Sequence, residues 1–306
     1  MRTMRIGTRR SELALKQTEW VIKKLIDSFP QLTVETKPIV TKGDRILEVT
    51  LSKVGGKGLF VKEIEQALLN REIDVAVHSM KDLPGEMAEG LTLAAITKRE
   101  DPRDCLISRN GQKLNELPAG AIVGTSSLRR QAQLKALRPD LNVEPVRGNI
   151  NTRLRKMREG QFDAILLAAA GLHRMGWQHL ITEYLDIDRV LPAVGQGALG
   201  IQCRVDDEAV ISHFKVLNDV ETTSTVTAER AFLHRLNGNC QVPIGAFATT
   251  DGVKVALTGL VANPNNTDIY QQSATGTEPE RLGRELADQV AAMGADQVLA
   301  LLREES

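Results

Sequence analysis

The chain has 306 residues, with 39 Lys+Arg balanced by 39 Asp+Glu, 3% aromatics and three cysteines. Zero net charge argues against a general nucleic-acid or membrane-surface binder, and so few rings leave little for base stacking. Cys105, Cys203 and Cys240 are odd in number and form no C-x-x-C pair, which excludes a disulfide scaffold or structural zinc and leaves no metal site to expect. Residues 1–6 contain no apolar core of a signal peptide, and no apolar run is long enough to span a bilayer. The expectation is a soluble, cytoplasmic protein with room for two or three domains.

Residues 5–8 read as a short strand, and Ser11 then caps a helix carrying Val21, Leu25 and Phe29 at helical spacing beside Ile22 and Ile26. A strand over 33–41 follows, then a helix over 59–70 with Phe60, Ile64, Ala67 and Leu68 on one face. Strands over 73–78 and 91–97 complete the unit. Alternation of this kind implies an α/β layer with a mainly parallel sheet.

Lys98 to Asp104 is a charged, proline-bearing connector and reads as a hinge. The pattern then restarts, with strands over 121–124, 141–145 and 163–168 and helices over 127–137 and 151–158. Leu191-Pro192-Ala193-Val194-Gly195-Gln196-Gly197 is a second Gly/Pro switch, where the chain can cross back to the first unit. Helices over 208–217 and 221–236 precede three strands (245–250, 253–261 and 269–275) and a helix from Glu278. The expected domains are 1–98 with 196–217, 103–192, and a small α+β domain over 220–306.

Ligands of open α/β sheets bind beyond the carboxyl ends of the strands, so residues just after strands are the informative ones. Thr125-Ser126-Ser127-Leu128-Arg129-Arg130 follows a strand and opens a helix, where backbone N–H groups, hydroxyls and guanidiniums all favour anions. From Thr125 to Arg158 nine Lys/Arg face only Asp140 and Glu144, an excess of seven positive charges in a neutral chain. Arg147 and Arg153 flank the turn Gly148-Asn149 instead of continuing one solvated face. Arg9-Arg10-Ser11 repeats the order of strand, arginine, serine cap and helix. Two such helix starts around one cleft suit a ligand with several negative groups.

Lys53-Val54-Gly55-Gly56-Lys57-Gly58 resembles a phosphate loop superficially, but Gly58 stands where Mg²⁺ chemistry needs Ser or Thr. It reads as a mobile loop offering Lys53 and Lys57 to an anion, or as a plain flexible loop. In His78-Ser79-Met80-Lys81-Asp82, a buried strand ends in adjacent Lys and Asp. Either this is a surface ion pair, or Asp82 handles protons and steadies a cation beside an arginine-lined cleft. Cys240 lies in the polar turn Asn237-Gly238-Asn239-Cys240-Gln241-Val242-Pro243. It is either a core thiol just beyond a helix or a thiol presented for covalent chemistry. His234 is six residues from Cys240 but on the helix, and reads as structural.

These motifs, taken in order with Arg99 to Asp104, Arg147-Gly148-Asn149 and Leu191 to Gly197, resemble the porphobilinogen deaminase (hydroxymethylbilane synthase) family nearly end to end. The resemblance implies two lobes of the type II periplasmic-binding-protein kind around a cleft, plus a small C-terminal α+β domain, as a monomer. It implies head-to-tail joining of four porphobilinogen molecules with loss of ammonia, on a dipyrromethane primer in thioether linkage to Cys240. Asp82 becomes the catalytic carboxylate. Primer contacts fall on Lys81, Asp82, Thr125, Ser127, Arg129, Arg130, Arg147 and Gly148, and substrate contacts on Arg9, Ser11, Lys53, Lys57, Arg153, Arg174 and Gln196. Each pyrrole carries an acetate and a propionate, so a growing chain needs many permanent cations. The competing expectation is a non-catalytic, two-lobed binder of a polycarboxylate, with Cys240 free and Asp82 dispensable. An arginine-rich RNA binder is the third.

Overall fold

The computed structural model describes residues 3–45, 61–237, 242–264 and 267–304. The first lobe opens with β1 (Met4–Arg9), α1 (Glu12–Ser28), β2 (Val34–Ile39), α2 (Lys62–Leu69), β3 (Val75–Ser79) and β4 (Leu91–Ile96). The chain then crosses to β5 (Asp104–Ser108), β6 (Ile122–Gly124), α3 (Leu128–Leu137), β7 (Asn142–Glu144), α4 (Ile150–Arg158), β8 (Ala164–Ala168), α5 (Ala169–Arg174) and β9 (Glu183–Leu185). It returns to the first lobe with β10 (Leu199–Arg204) and α6 (Glu208–Phe214).

Both lobes use one topology. The five-stranded sheets run β2-β1-β3-β10-β4 and β7-β6-β8-β5-β9. In each, the first three strands are parallel, and the strand that follows a crossover inserts antiparallel to both its neighbours. Four of the five strands in each sheet thus run the same way, in line with the mainly parallel expectation, and only the inserted strand is reversed. β5 and β10 had no sequence signal, for different reasons. β5 is a short apolar run hidden behind the charged connector. All six residues of β10 are buried, although Gln202 and Arg204 look solvent-facing. Most of their polar atoms are satisfied internally: Gln202 bonds His78 and Glu65, and Arg204 reaches Asp74, Asp207 and the carbonyls of Leu68 and Ile73 through its terminal nitrogens, while its Nε is left without a hydrogen-bond partner among the described residues.

The crossovers lie side by side. Thr97 N donates to Leu199 O (3.0 Å), and Glu100 N donates to Gly197 O (3.1 Å). Gly197 has φ +95°, and an added Cβ would fall on the carbonyl oxygen of Glu100, so only glycine lets the strands of this double hinge touch.

Val220–Arg235 forms α7, which leads to an antiparallel sheet of β11 (Ile244–Thr250), β12 (Val255–Ala262) and β13 (Ile269–Gly276). Helix α8 (Pro279–Val290) packs on α7 and the sheet, burying Leu282, Leu286 and Val290 against Phe232, Leu257 and Val261. The single terminal helix expected from Glu278 is instead broken by a wide turn at Ala291–Ala295, where Gly294 takes φ +110°, before α9 (Asp296–Glu304) resumes.

Candidate functional site

The carboxyl ends of the parallel strands face one another across the gap between the lobes, and each delivers a polar residue there. After β1, Ser11 caps α1 by accepting from Ala14 N at 3.4 Å, which holds Arg9 and Ser11 at the rim. After β3, the chain turns tightly through Met80–Asp82 and presents Lys81 and Asp82. After β6, Thr125 is buried and its hydroxyl accepts from Ser127 N (3.2 Å), while Ser127 caps α3. This puts Arg129 and Arg130 in the first turn of that helix. After β7, Asn149 caps α4 by accepting from Thr152 N at 2.9 Å, and Arg153 Nε donates to Gly148 O at 2.9 Å. After β8, α5 carries Arg174, which donates to Gly197 O on the second crossover at 2.6 Å.

Arg9, Ser11, Lys81, Asp82, Arg174 and Gln196 line a cavity of about 80 Å³ drawn from both lobes. Burial and the neighbouring Arg130 push the Lys81 ammonium down to about 8, against the pull of Asp82 and Asp104. Burial, with Arg130 and Arg147 nearby, pushes the Arg153 guanidinium down to about 10, and burial does the same to Arg174. Arg147 is also lowered by burial. These shifts mark cations crowded together out of water. Asp82 accepts no hydrogen bond and makes no ion pair among the described residues, although it stands near Lys81 and Arg153.

Of the expected site residues, Arg9, Ser11, Lys81, Asp82, Arg174 and Gln196 line the cavity itself; Arg129 and Arg130 stand near Lys81, and Arg153 near Asp82 and Arg147, while Thr125 and Ser127 shape the start of α3 and Gly148 holds Arg153. Lys53, Lys57 and Cys240 lie outside the described residues. Both flanks of the Cys240 segment can be placed: it leaves α7 at Asn237 (φ +50°) and enters β11, where Gly245 packs against Leu191 O, Pro192 O and Arg129. His234 lies 2.7 Å from Glu86 in an exposed pair on the surface.

Sequence reasoning missed three participants. Asp104 is fully buried and takes both Arg129 and Arg130. The Gln133 side-chain amide donates to Leu191 O and accepts from Leu191 N, and Glu229 binds the crossover region from α7. Asp104 was hidden in a run of charges that reads as a solvated connector. Gln133 and Glu229 lie inside helices with no local motif.

The residues fit a multiply anionic ligand. Lys81, Arg130, Arg153 and Arg174 are all largely withdrawn from water, and Arg130 Nε is buried with no hydrogen-bond partner among the described residues. Fold and site together define a two-lobed α/β protein whose cation-lined cleft, with a carboxylate set among the cations, suits a polycarboxylate organic group.

Residues 4–212 match the family described as porphobilinogen deaminase, dipyromethane cofactor binding domain, and residues 223–292 match its C-terminal domain. The chain is 59% identical to a porphobilinogen deaminase of Halalkalibacterium halodurans, covering 98% of this chain and 97% of the relative. It is 55% identical to that of Bacillus subtilis (100% and 98%) and 52% identical to that of Geobacillus kaustophilus (100% and 99%). Among solved structures, an arginine-specific periplasmic binding protein of Salmonella typhimurium is similar at 13% identity and a TM-score of 0.42, over 73% of this chain and 96% of that one. The chain belongs to the porphobilinogen deaminase family. The cofactor of that family is dipyrromethane, and the cations gathered here suit its four carboxylates. The alternative of a non-catalytic polycarboxylate binder is not favoured by this kinship.

Proposed function

We propose that Asp82 is the proton-handling group of this chain's hydroxymethylbilane synthase reaction, with Cys240 as the attachment point of dipyrromethane. The reaction joins four porphobilinogen molecules head to tail and releases ammonia at each addition. The observation that supports this reading most is Asp82 itself. It is a carboxylate without hydrogen bond or ion pair among the described residues, lining a cavity with Arg9, Lys81 and Arg174.

Bound dipyrromethane supplies the carbon nucleophile to which the first substrate is joined. Arg9, Ser11, Arg153 and Arg174 hold the substrate's acetate and propionate, with Lys53 and Lys57 completing the set. Asp82 gives a proton to the departing amine, and its carboxylate then faces the cationic substrate ring. The same carboxylate accepts the proton lost when the new carbon–carbon bond restores aromaticity. Lys81, Thr125, Ser127, Arg129, Arg130, Arg147 and Gly148 hold the cofactor. Covalent tethering makes each coupling effectively unimolecular.

A cytoplasmic monomer without membrane or nucleic-acid partners is part of this reading. Balanced charge supports it, as do Cys105 and Cys203, both buried free thiols. No helix among the described residues is long and apolar enough to cross a membrane.

The test is intact mass and turnover on three proteins. The wild type is expected to weigh more than its polypeptide by one dipyrromethane, and Cys240→Ser to lack that increment. Asp82→Asn is expected to retain it while losing nearly all turnover. An equal increment on Cys240→Ser places the linkage elsewhere, and normal turnover of Asp82→Asn removes Asp82 from the mechanism.

A further inference from the structure

We propose that Asp104, the first residue of β5, is a positioning residue for the anion site: it fixes the guanidiniums of Arg129 and Arg130 and, through Gln196, locks them to the hinge between the lobes. The inference rests on the cofactor reading above and adds a residue to it.

The geometry is complete at both carboxylate oxygens. Oδ2 accepts from Arg129 Nη1 at 2.7 Å. Oδ1 accepts from Arg130 Nη2 at 2.8 Å and from Gln196 Nε2 at 2.9 Å. The same Gln196 Nε2 donates to Pro102 O (2.7 Å) on the first crossover, while its oxygen faces Lys81 Nζ at 3.5 Å. Arg129 Nη1 also donates to Leu191 O on the second crossover at 2.6 Å. One buried carboxylate therefore joins the start of α3, both crossovers and, through Gln196, the Lys81–Asp82 turn. Arg130 is held at both terminal nitrogens, by Asp104 and by Leu166 O (3.1 Å), which leaves its buried Nε without a partner among the described residues.

The charge count gives Asp104 a second effect. Lys81 is faced by Arg130 and Arg129 on α3, by Asp104 on β5 and by its neighbour Asp82; of these the two carboxylates favour its charged form and the arginines oppose it. Burial would raise the Asp104 carboxyl, but Arg129 and Arg130 hold it far below the usual range, so it is ionised at every working pH. Removing that charge leaves two guanidiniums and an ammonium with only Asp82 to offset them. Lys81 then gives up its proton at lower pH.

The experiment compares holoenzyme prepared as wild type, Asp104→Asn, Asp104→Glu and Asp104→Asn/Arg129→Gln. Intact mass gives the fraction carrying cofactor, and steady-state kinetics give KM for porphobilinogen against pH. Asp104→Asn is expected to carry cofactor on a fraction about tenfold smaller. Lys81 also lines the cavity shared with the substrate residues Arg9, Ser11 and Arg174, so the alkaline rise in KM that its deprotonation brings is expected to move down in this variant by about one pH unit, the effect of a lost neighbouring charge. Asp104→Glu restores part of the loading, and the double variant, with its charge count rebalanced, returns the KM limb toward the wild-type pH. A merely structural Asp104 would lower stability without moving the limb. Wild-type loading with an unmoved limb in Asp104→Asn overturns the proposal. If that variant does not fold, Asp104→Glu decides: loading and a KM limb both equal to wild type overturn the proposal, and loading reduced below wild type upholds it. Absence of cofactor from the wild type itself refutes the reading beneath it, and this inference falls with it.

Discussion

Arg99 Nη2 lies 2.8 Å from Glu229 Oε1, joining the first crossover to α7 of the C-terminal domain. The Glu229 side chain is fully buried, and its acceptors are all in use: Oε1 also takes Ala248 N at 2.9 Å on β11, and Oε2 takes Gly195 N at 2.7 Å on the second crossover. One carboxylate thus ties both crossovers to the sheet whose first strand follows Cys240. Arg99 further lies 5.3 Å over the ring of Phe247. Truncation leaves a mostly buried guanidinium without its counter-charge and two N–H groups without an acceptor. Glu229→Ala is expected to cost about 3–5 kcal/mol in urea unfolding, and Glu229→Gln less, because one acceptor oxygen survives. A loss below about 1 kcal/mol for Glu229→Ala would show that the clasp contributes no more than a surface pair.

His78 gives a pH dependence with a definite sign. Burial pushes its imidazole down to about 4, with Arg9 adding to the shift and the Gln202 bond opposing it. The folded chain therefore keeps His78 neutral, with Nε2–H donating to Gln202 Oε1 at 3.0 Å. The unfolded chain binds a proton near the ordinary value of 6.5. Between these values the unfolded state holds more protons, so stability present above about 6.5 is lost as pH falls toward 4. The loss amounts to roughly 3 kcal/mol at most. His78→Gln, which cannot take up the proton, is expected to flatten this part of the profile in urea melts at pH 7 and pH 4.5. Parallel profiles for the two proteins would assign the acid sensitivity to other groups.

The parts of the molecule legible in the sequence are those written locally. The order of strand, polar cap and helix places Ser11, Ser127 and Asn149 at helix starts, because a cap and its helix are only a few residues apart. The parts that were not legible depend on distant partners. Gln202 and Arg204 look exposed until His78, Glu65 and Asp74 are known to face them. Arg129 and Arg130 read simply as ligand cations, since nothing local shows that Asp104, some 25 residues earlier, holds both. The linkage at Cys240 came from family resemblance and not from local pattern, since a cysteine beyond a helix suits a buried thiol equally well.

Gly148 tests whether backbone geometry sets the cation array. Its φ is +108°, a region that side-chain-bearing residues avoid, and an added Cβ would stand 2.5 Å from Thr152 Cγ2. Its carbonyl accepts from Arg153 Nε, and the next residue, Asn149, caps α4. Gly148→Ala therefore strains the turn by about 1–3 kcal/mol and shifts the carbonyl that aims Arg153. The expected result is a lower melting temperature together with a KM for porphobilinogen raised by about tenfold, the effect of roughly 1.4 kcal/mol of lost substrate binding. Asn149→Ala is the control: it removes the cap at a cost of about 1 kcal/mol but keeps glycine in the turn. If both variants lose similar stability and only Gly148→Ala loses affinity, carbonyl placement governs Arg153. Equal rises in KM would instead make the integrity of the α4 start sufficient, and Gly148 would have no separate role in aiming the guanidinium.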